Sequence, residues 1–137
     1  MRKNKTTMKY EFTGETKIEF GVTLKRIRAK ISISILGVSR GDLGGWIKTE
    51  DNLSHEGNAW VYGNALVYGD ARVYGNARVF GDARVYGDAR VYGNAWVFGD
   101  ARVYGDARVS GNTRVYGNTL VYGNAWVSSP VITASRS

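Results

Sequence analysis

Between Gly57 and Ser128 the chain sets a small residue and a valine two positions apart and repeats the pair every six residues, in the form Gly-(Asn/Asp)-(Ala/Thr)-x-Val-(Tyr/Phe/Ser). The 72 residues of 57–128 divide into twelve such hexads without interruption. On an extended strand, residues two apart share a face, so Ala71 and Val73 point one way while Arg72 and Tyr74 point the other. The Ala/Val row is the buried one, and Gly-Asn or Gly-Asp supplies the turn. A strand this short cannot bury one side alone, so the chain must coil and stack each turn on the last. Three hexads per coil predict an all-β parallel β-helix shaped as a triangular prism. Twelve hexads make about four regular coils, each rising about 4.8 Å. Side chains as small as Ala and Val fill such a prism and leave no room for a buried substrate.

The hexads resemble the hexapeptide-repeat left-handed β-helix superfamily, and the left hand is what that resemblance implies. Gly41-Asp-Leu-Gly-Gly-Trp-Ile47, Asn52-Leu-Ser54 and Gly57-Asn-Ala-Trp-Val-Tyr-Gly63 are similar to a narrower group of small, poorly characterised bacterial and phage proteins. The superfamily includes acyltransferases that use a histidine base and zinc carbonic anhydrases with histidine ligands. His55 is the lone histidine and cysteine is absent, so a histidine zinc site would need ligands shared between subunits, and a structural His55 satisfied by a local hydrogen bond is a better expectation than His55 as general base.

Residues 8–40 lack the hexad but alternate as strands do, at Ile18/Phe20, Leu24 with Ile27, and Ile31/Ile33/Ile35, with Gly14 and Gly21 as turns. They are expected to form a small N-terminal antiparallel β cap that shields an open edge of the solenoid. Residues 41–128 form the hexapeptide-repeat β-helix, of which 41–56 make an imperfect first coil. Counting back in sixes puts Ile47 and Leu53 on the Ala row and Thr49 and His55 on the Val row. Residues 1–7 are expected to be a disordered basic extension, and 129–137 a C-terminal cap or tail in which Val131-Ile132 folds over the last coil.

The formal charge is +7, with 19 Lys and Arg against 12 Asp and Glu, which favours acidic partners. Lys25, Arg26, Arg28 and Lys30 cluster on the cap, where a solvated strand face explains them as well as nucleic acid does. No apolar run reaches the roughly 18 residues of a membrane span, so a cytoplasmic protein with no membrane contact is expected. Asp70, Asp88 and Asp106 stack on one corner and Asp82 with Asp100 on the next, each followed two residues later by an Arg. Charge balance along these columns, with Asp88 diagonal to Arg72, is a simpler expectation than a calcium site. No cofactor, metal or catalytic residue is expected.

Sorting the outward residues by face is more informative. Face one carries Trp60, Arg78, Trp96 and Arg114 in one column and Tyr62, Phe80, Phe98 and Tyr116 in the other. Face two carries Leu66, Arg84, Arg102 and Leu120 beside four tyrosines. Face three carries Arg72, Arg90, Arg108 and Trp126, then Tyr74, Tyr92, Ser110 and Ser128. Face one alone has Asn at every corner, at Asn58, Asn76, Asn94 and Asn112, and so lacks a carboxylate. It also holds both phenylalanines of the repeats, which suits a surface dried by a partner. These eight outward residues of face one are the candidate binding residues.

The expected function is that of a non-catalytic binding protein that self-associates, as a homo-oligomer, or grips a host macromolecule through face one. For a phage product, inhibition of a host defence complex would be one such use. Nucleic-acid binding through the Arg and Tyr columns is the alternative; an acyltransferase-like or lyase enzyme is a third reading that the residues support least. Since no segment has an apolar period of 3.6, circular dichroism of the purified protein should be β-rich. Helix above about a fifth of the chain would be incompatible with the architecture.

Overall fold

In a computed structural model, residues 8–128 and the strand Val131–Ile132 are described. Strands β1 (Tyr10–Glu19) and β2 (Val22–Ala29) form an antiparallel hairpin, and β3 (Leu43–Ile47) pairs antiparallel with β2 on its other edge. Each hexad then contributes one two-residue strand, from β4 (Trp60–Val61) to β15 (Trp126–Val127), followed by β16 (Val131–Ile132). These strands stack in three parallel sheets along the axis. Trp60, Arg78, Trp96 and Arg114 pair in succession on one sheet. Leu66, Arg84, Arg102 and Leu120 do so on the second, and Arg72, Arg90, Arg108 and Trp126 on the third. The chain is therefore an all-β parallel solenoid of about five turns, the second sheet being built from β3, β5 (Leu66–Val67), β8 (Arg84–Val85), β11 (Arg102–Val103) and β14 (Leu120–Val121).

Hydrogen bonds run from each coil to the next with uniform geometry: Asn76, Arg78 and Phe80 N–H donate to the carbonyls of Gly93, Ala95 and Val97 at 2.8–3.0 Å. The Ala and Val rows fill the interior, with Ala71, Val73, Ala89 and Val91 all at 0 % exposure. Where Thr replaces Ala, the inward hydroxyl is satisfied locally: Thr113 Oγ1 donates to Ser110 O at 2.6 Å and Thr119 Oγ1 to Tyr116 O at 2.7 Å. The corners require glycine twice over. Gly87 has a φ of 70°, and a Cβ there would stand 2.9 Å from the backbone nitrogen of Gly105 in the coil that follows.

The first coil departs from the expected register. Ile47 pairs with Val67 and Leu53 bridges Val73, so both lie on the Val row rather than the Ala row. The Ala row is taken by Gly45, where a Cβ would come within 2.6 Å of Val61 Cγ1. The offset is 20 residues here instead of 18. The two extra residues fall between Ser54, which donates to Val73 O, and Asn58, which donates to Gly75 O. Thr49 is exposed, and His55 is buried beneath the cap rather than in the Val row.

Ile31, Ile33 and Ile35 do not form a strand. Both edges of β2 are already taken by β1 and β3, so the segment turns through a short 3-10 helix at Ser34–Leu36. Gly37 closes it with a φ of 71°; Ile33 is buried, while Ile31 and Ile35 are exposed. Val131–Ile132 pairs in parallel with β13 (Arg114–Val115), so it lengthens the first sheet rather than folding across the coil. Residues 1–7, 129–130 and 133–137, assigned above to an extension and a tail, lie outside the described residues.

Stacked parallel coils leave a row of carbonyls facing outward at the first turn, and each must find a donor. Lys9 Nζ donates to Ala59 O at 2.6 Å and Gly57 O at 3.4 Å. Asn52 Nδ2 donates to Ala71 O at 2.8 Å and Gly69 O at 3.3 Å, while Trp46 and Lys48 N–H serve Ala65 and Val67. Tyr10 OH donates to Leu53 O at 2.6 Å and its ring stacks on His55 at 4.0 Å. The cap is thus a set of buried polar plugs as well as an apolar lid.

Two outcomes follow from this packing. Val91→Asp places an unpaired carboxylate in the sealed row and should cost about 3 kcal/mol or more, whereas Tyr92→Asp on the outer face should cost far less. Equal losses in thermal denaturation would invert the inward and outward rows. The second concerns Lys9, whose pKa burial lowers to about 8 from 10.5. Between these values the unfolded chain holds a proton that the folded chain has released, so stability on this group rises with pH. Burial, then Glu50 and Asp51, raise the pKa of Tyr10. The folded phenol therefore keeps its proton above about pH 10, where the unfolded one loses it, and stability falls there. Denaturant titrations should show a rise from about pH 7 to 10 that Lys9→Met flattens, at a lower overall stability, and a fall above about pH 10.

Candidate binding face

The ladder register brings together seven of the eight candidate residues as a half-buried surface: Tyr62, Arg78, Phe80, Trp96, Phe98, Arg114 and Tyr116. Trp60 is the exception and corrects the expectation. It is outward in the strand pattern yet 0 % exposed, because the cap covers it, with Tyr10 edge-on at 6.3 Å. Tyr62 packs against the same core, and burial raises its pKa despite the opposing charge of Arg78.

The first column is a sandwich. Arg78 and Arg114 lie over the Trp96 ring at 4.8 and 3.9 Å, on strands that flank its own. Each such contact stabilises by about 0.5–1 kcal/mol at a partly exposed site. Arg78 Nε and Arg114 Nη1 are shielded from solvent and meet no acceptor. The second column is a ring stack: Phe80 on Phe98 at 4.8 Å with planes 1° apart, and Phe98 on Tyr116 at 5.3 Å and 12°. Tyr62 breaks the stack, meeting Phe80 edge to face at 69°.

Six of the eight candidate residues are aromatic, yet all seven that reach the surface are only half exposed. The faces of Trp96 and Phe98 are covered by guanidinium groups and by neighbouring rings. The strongly exposed large apolar side chains lie elsewhere, at Ile18, Phe20, Ile31, Ile35, Leu43 and Trp126. Beside the columns, the corner asparagines form their own ladder: Asn76 Nδ2 donates to Asn94 Oδ1 at 3.3 Å and Asn94 Nδ2 to Asn112 Oδ1 at 3.4 Å. A groove of about 240 Å³ runs along them to Ile35 and Leu36 of the cap.

The other faces share the ladder principle with different chemistry. On the second sheet Tyr68, Tyr86, Tyr104 and Tyr122 stack at 5.0–5.4 Å, and Phe20 adds a ring above Tyr68 at 6.4 Å. Phe20 sits in the hairpin turn at a φ of 54°, a strained backbone for a bulky residue, and Arg84 covers its ring at 4.1 Å. Sequence reasoning missed Phe20, Ile35 and Leu36 as contributors to these faces. The Phe20-Gly21 pair marked the turn, but where its ring lands depends on how the cap docks.

The expected balancing of Asp by Arg is not a matter of contact. Among the described residues, ion pairs within 4 Å join Lys17 to Glu19, Arg26 to Glu15, Arg28 to Glu11 and His55 to Glu50, and none involves the repeat carboxylates. Asp82 and Asp100 instead line one side of a groove of about 670 Å³ whose other side is Arg84 and Arg102. His55 Nδ1 accepts the Lys9 N–H at 3.0 Å, and its Nε2 lies 3.2 Å from Glu50 Oε1, which fits a positioning role at the cap junction. No group of three or more metal-ligating side chains comes together among the described residues. No helix among them is long and apolar enough to cross a membrane.

No curated protein matches the chain. A family model described as the YdcK beta solenoid repeat matches residues 59–73, 71–87, 83–99 and 101–117. Those segments span the hexads whose strands build the middle of all three sheets, and the chain is accordingly a β-solenoid repeat protein, similar over these residues to that family.

Proposed function

We propose that the protein is a non-catalytic binding scaffold whose contact surface is the first sheet, from Arg78 to Tyr116. The observation that carries this reading is the Arg78–Trp96–Arg114 sandwich, which holds two guanidinium groups rigid on a face without carboxylates while leaving shielded N–H groups without acceptors. Aromatics and arginines of this kind dominate binding hot spots, and a pre-ordered side chain loses little entropy when it binds. The sealed Ala/Val interior supports a surface role over a pocket enzyme. The repeat spacing supports a triangular prism, and the resemblance to the hexapeptide-repeat superfamily implies its left hand. The resemblance in residues 41–63 supports a phage or bacterial source and a host macromolecule, such as a defence complex, or a second copy of the chain, as the partner. Nucleic-acid binding by base stacking is weakened, since the ring faces it needs are occupied.

Trp96→Ser with Phe98→Ser should weaken partner capture or self-association by about 2 kcal/mol or more while β-type circular dichroism is retained. Arg90→Ser with Tyr92→Ser on the third sheet should have only a small effect. Sedimentation velocity and pull-down on both pairs decide it. Loss of association in the third-sheet pair alone would move the contact surface there.

A further inference from the structure

We infer that the groove on the first sheet receives an extended acidic segment of a partner protein, with its carboxylates on Arg78 and Arg114. The inference rests on the reading of this sheet as the contact surface and adds the chemistry of what it contacts.

Charge separates this groove from the other two. The grooves on the second and third sheets each set an Asp column beside their arginines, at Asp82 with Asp100 and at Asp70, Asp88 with Asp106. Asparagine occupies the equivalent corners here, so the positive charge of Arg78 and Arg114 has no counter-charge. Replacing a carboxylate by its neutral isostere on one face alone keeps the turn and removes the repulsion toward an anion.

The arginines are also presented in a particular way. The guanidinium carbons of Arg78 and Arg114 lie over the Trp96 ring at 4.8 and 3.9 Å. Arg78 Nε and Arg114 Nη1 are already withdrawn from solvent with nothing to accept their hydrogens. A planar carboxylate matches the guanidinium fork and would bind through the N–H groups of Arg78 and Arg114 that remain open to the groove. The two arginines are two rungs apart, roughly 9.6 Å at the usual strand spacing. Acidic side chains two residues apart on an extended segment, about 6.6 Å between their Cα atoms, reach this span by spreading their flexible ends.

The asparagine ladder suits a peptide main chain. Each bond along it uses one amide hydrogen, and the second hydrogen on the same nitrogen is left to donate to a carbonyl of the incoming segment. At the cap end of the groove Ile35 is 68 % exposed beside Leu36, an apolar seat for a neighbouring side chain. A nucleic acid would find phosphate contacts here, but the faces of Trp96 and Phe98 on which a base would lie are already covered.

The test is fluorescence anisotropy with a labelled peptide of alternating Glu and Ala, its Gln-for-Glu counterpart, and oligothymidylate, on the full chain. The Glu peptide should bind at least about tenfold more tightly than the Gln peptide. Arg78→Gln with Arg114→Gln should weaken it about tenfold or more, and the Lys pair, which keeps charge but not the fork, should fall between. Arg72→Gln with Arg90→Gln removes the same charge from the third sheet and should change binding less than about threefold. Thermal unfolding of each variant establishes that it is folded. Equal losses in the two Gln pairs would reduce the effect to diffuse charge and overturn the inference. Oligothymidylate binding as tightly, with the same dependence on Arg78 and Arg114, would replace it with a nucleic-acid site. If the Glu peptide fails to bind while Trp96→Ser with Phe98→Ser still abolishes association, the acidic segment is wrong and the contact surface stands. If neither alteration matters, both fall.

Discussion

Every feature of this molecule depends on one constraint, the 18-residue ladder that joins each coil to the next through backbone hydrogen bonds. A two-residue strand has almost no stability by itself. It persists because its donors and acceptors are matched by the coil above and the coil below, as Arg78 N–H is matched to Ala95 O. The ladder leaves side chains little freedom of position. Identical hexad positions fall in columns about 4.8 Å apart, so whatever residue type recurs becomes a stack. Alanine and valine columns seal the interior, and aromatic columns close on themselves into ring ladders.

The same constraint makes the first regular turn the vulnerable one, because the coil before it is imperfect. The solution is chemical as much as topological. Trp46 and Lys48 serve the second sheet through backbone donors, Lys9 serves the first by its side chain, and the third is served by the Asn52 side chain and the Ser54 N–H. A buried ammonium is costly to desolvate, and its lowered pKa records that cost. It persists because unpaired carbonyls at the head of a repeat array would be costlier still and would invite another strand. The two-residue insertion after Ser54 belongs to the same solution. It brings His55 inward to accept the Lys9 N–H and to stack on Tyr10, which fixes where the lysine enters.

Much of this was legible in the sequence. The hexad identifies the solenoid, and the alternation within it separates Val91 from Tyr92 and assigns each outward residue to a column. What the period could not convey lies where the period stops. Ile47 and Leu53 fall on the other row because the first coil carries two additional residues, and counting in sixes cannot reveal an insertion in a stretch that lacks the motif. Trp60 occupies the same hexad position as Trp96, yet one is sealed and the other is not. The difference is the docked cap, whose geometry is set by contacts far apart in the chain. Phe20 belongs to a hairpin turn in sequence and to a tyrosine ladder in space for the same reason.

Regular stacking also decides what kind of recognition the surface can support. Columns of aromatic residues suggest a platform for bases or sugars, but at ladder spacing the rings lie face to face and expose their edges. What remains available is whatever the stack holds in place beside it. On the second and third sheets that is arginine opposite aspartate, a pattern that is neutral over each rung and favours solubility over affinity. On the first sheet it is arginine opposite asparagine, with the guanidinium groups of Arg78 and Arg114 lying over the indole of Trp96. A repeat that is nearly uniform in sequence thereby yields three faces of different character. The chemical asymmetry arises from the few positions where the hexad changes, at the corner and at x, rather than from any departure in the fold.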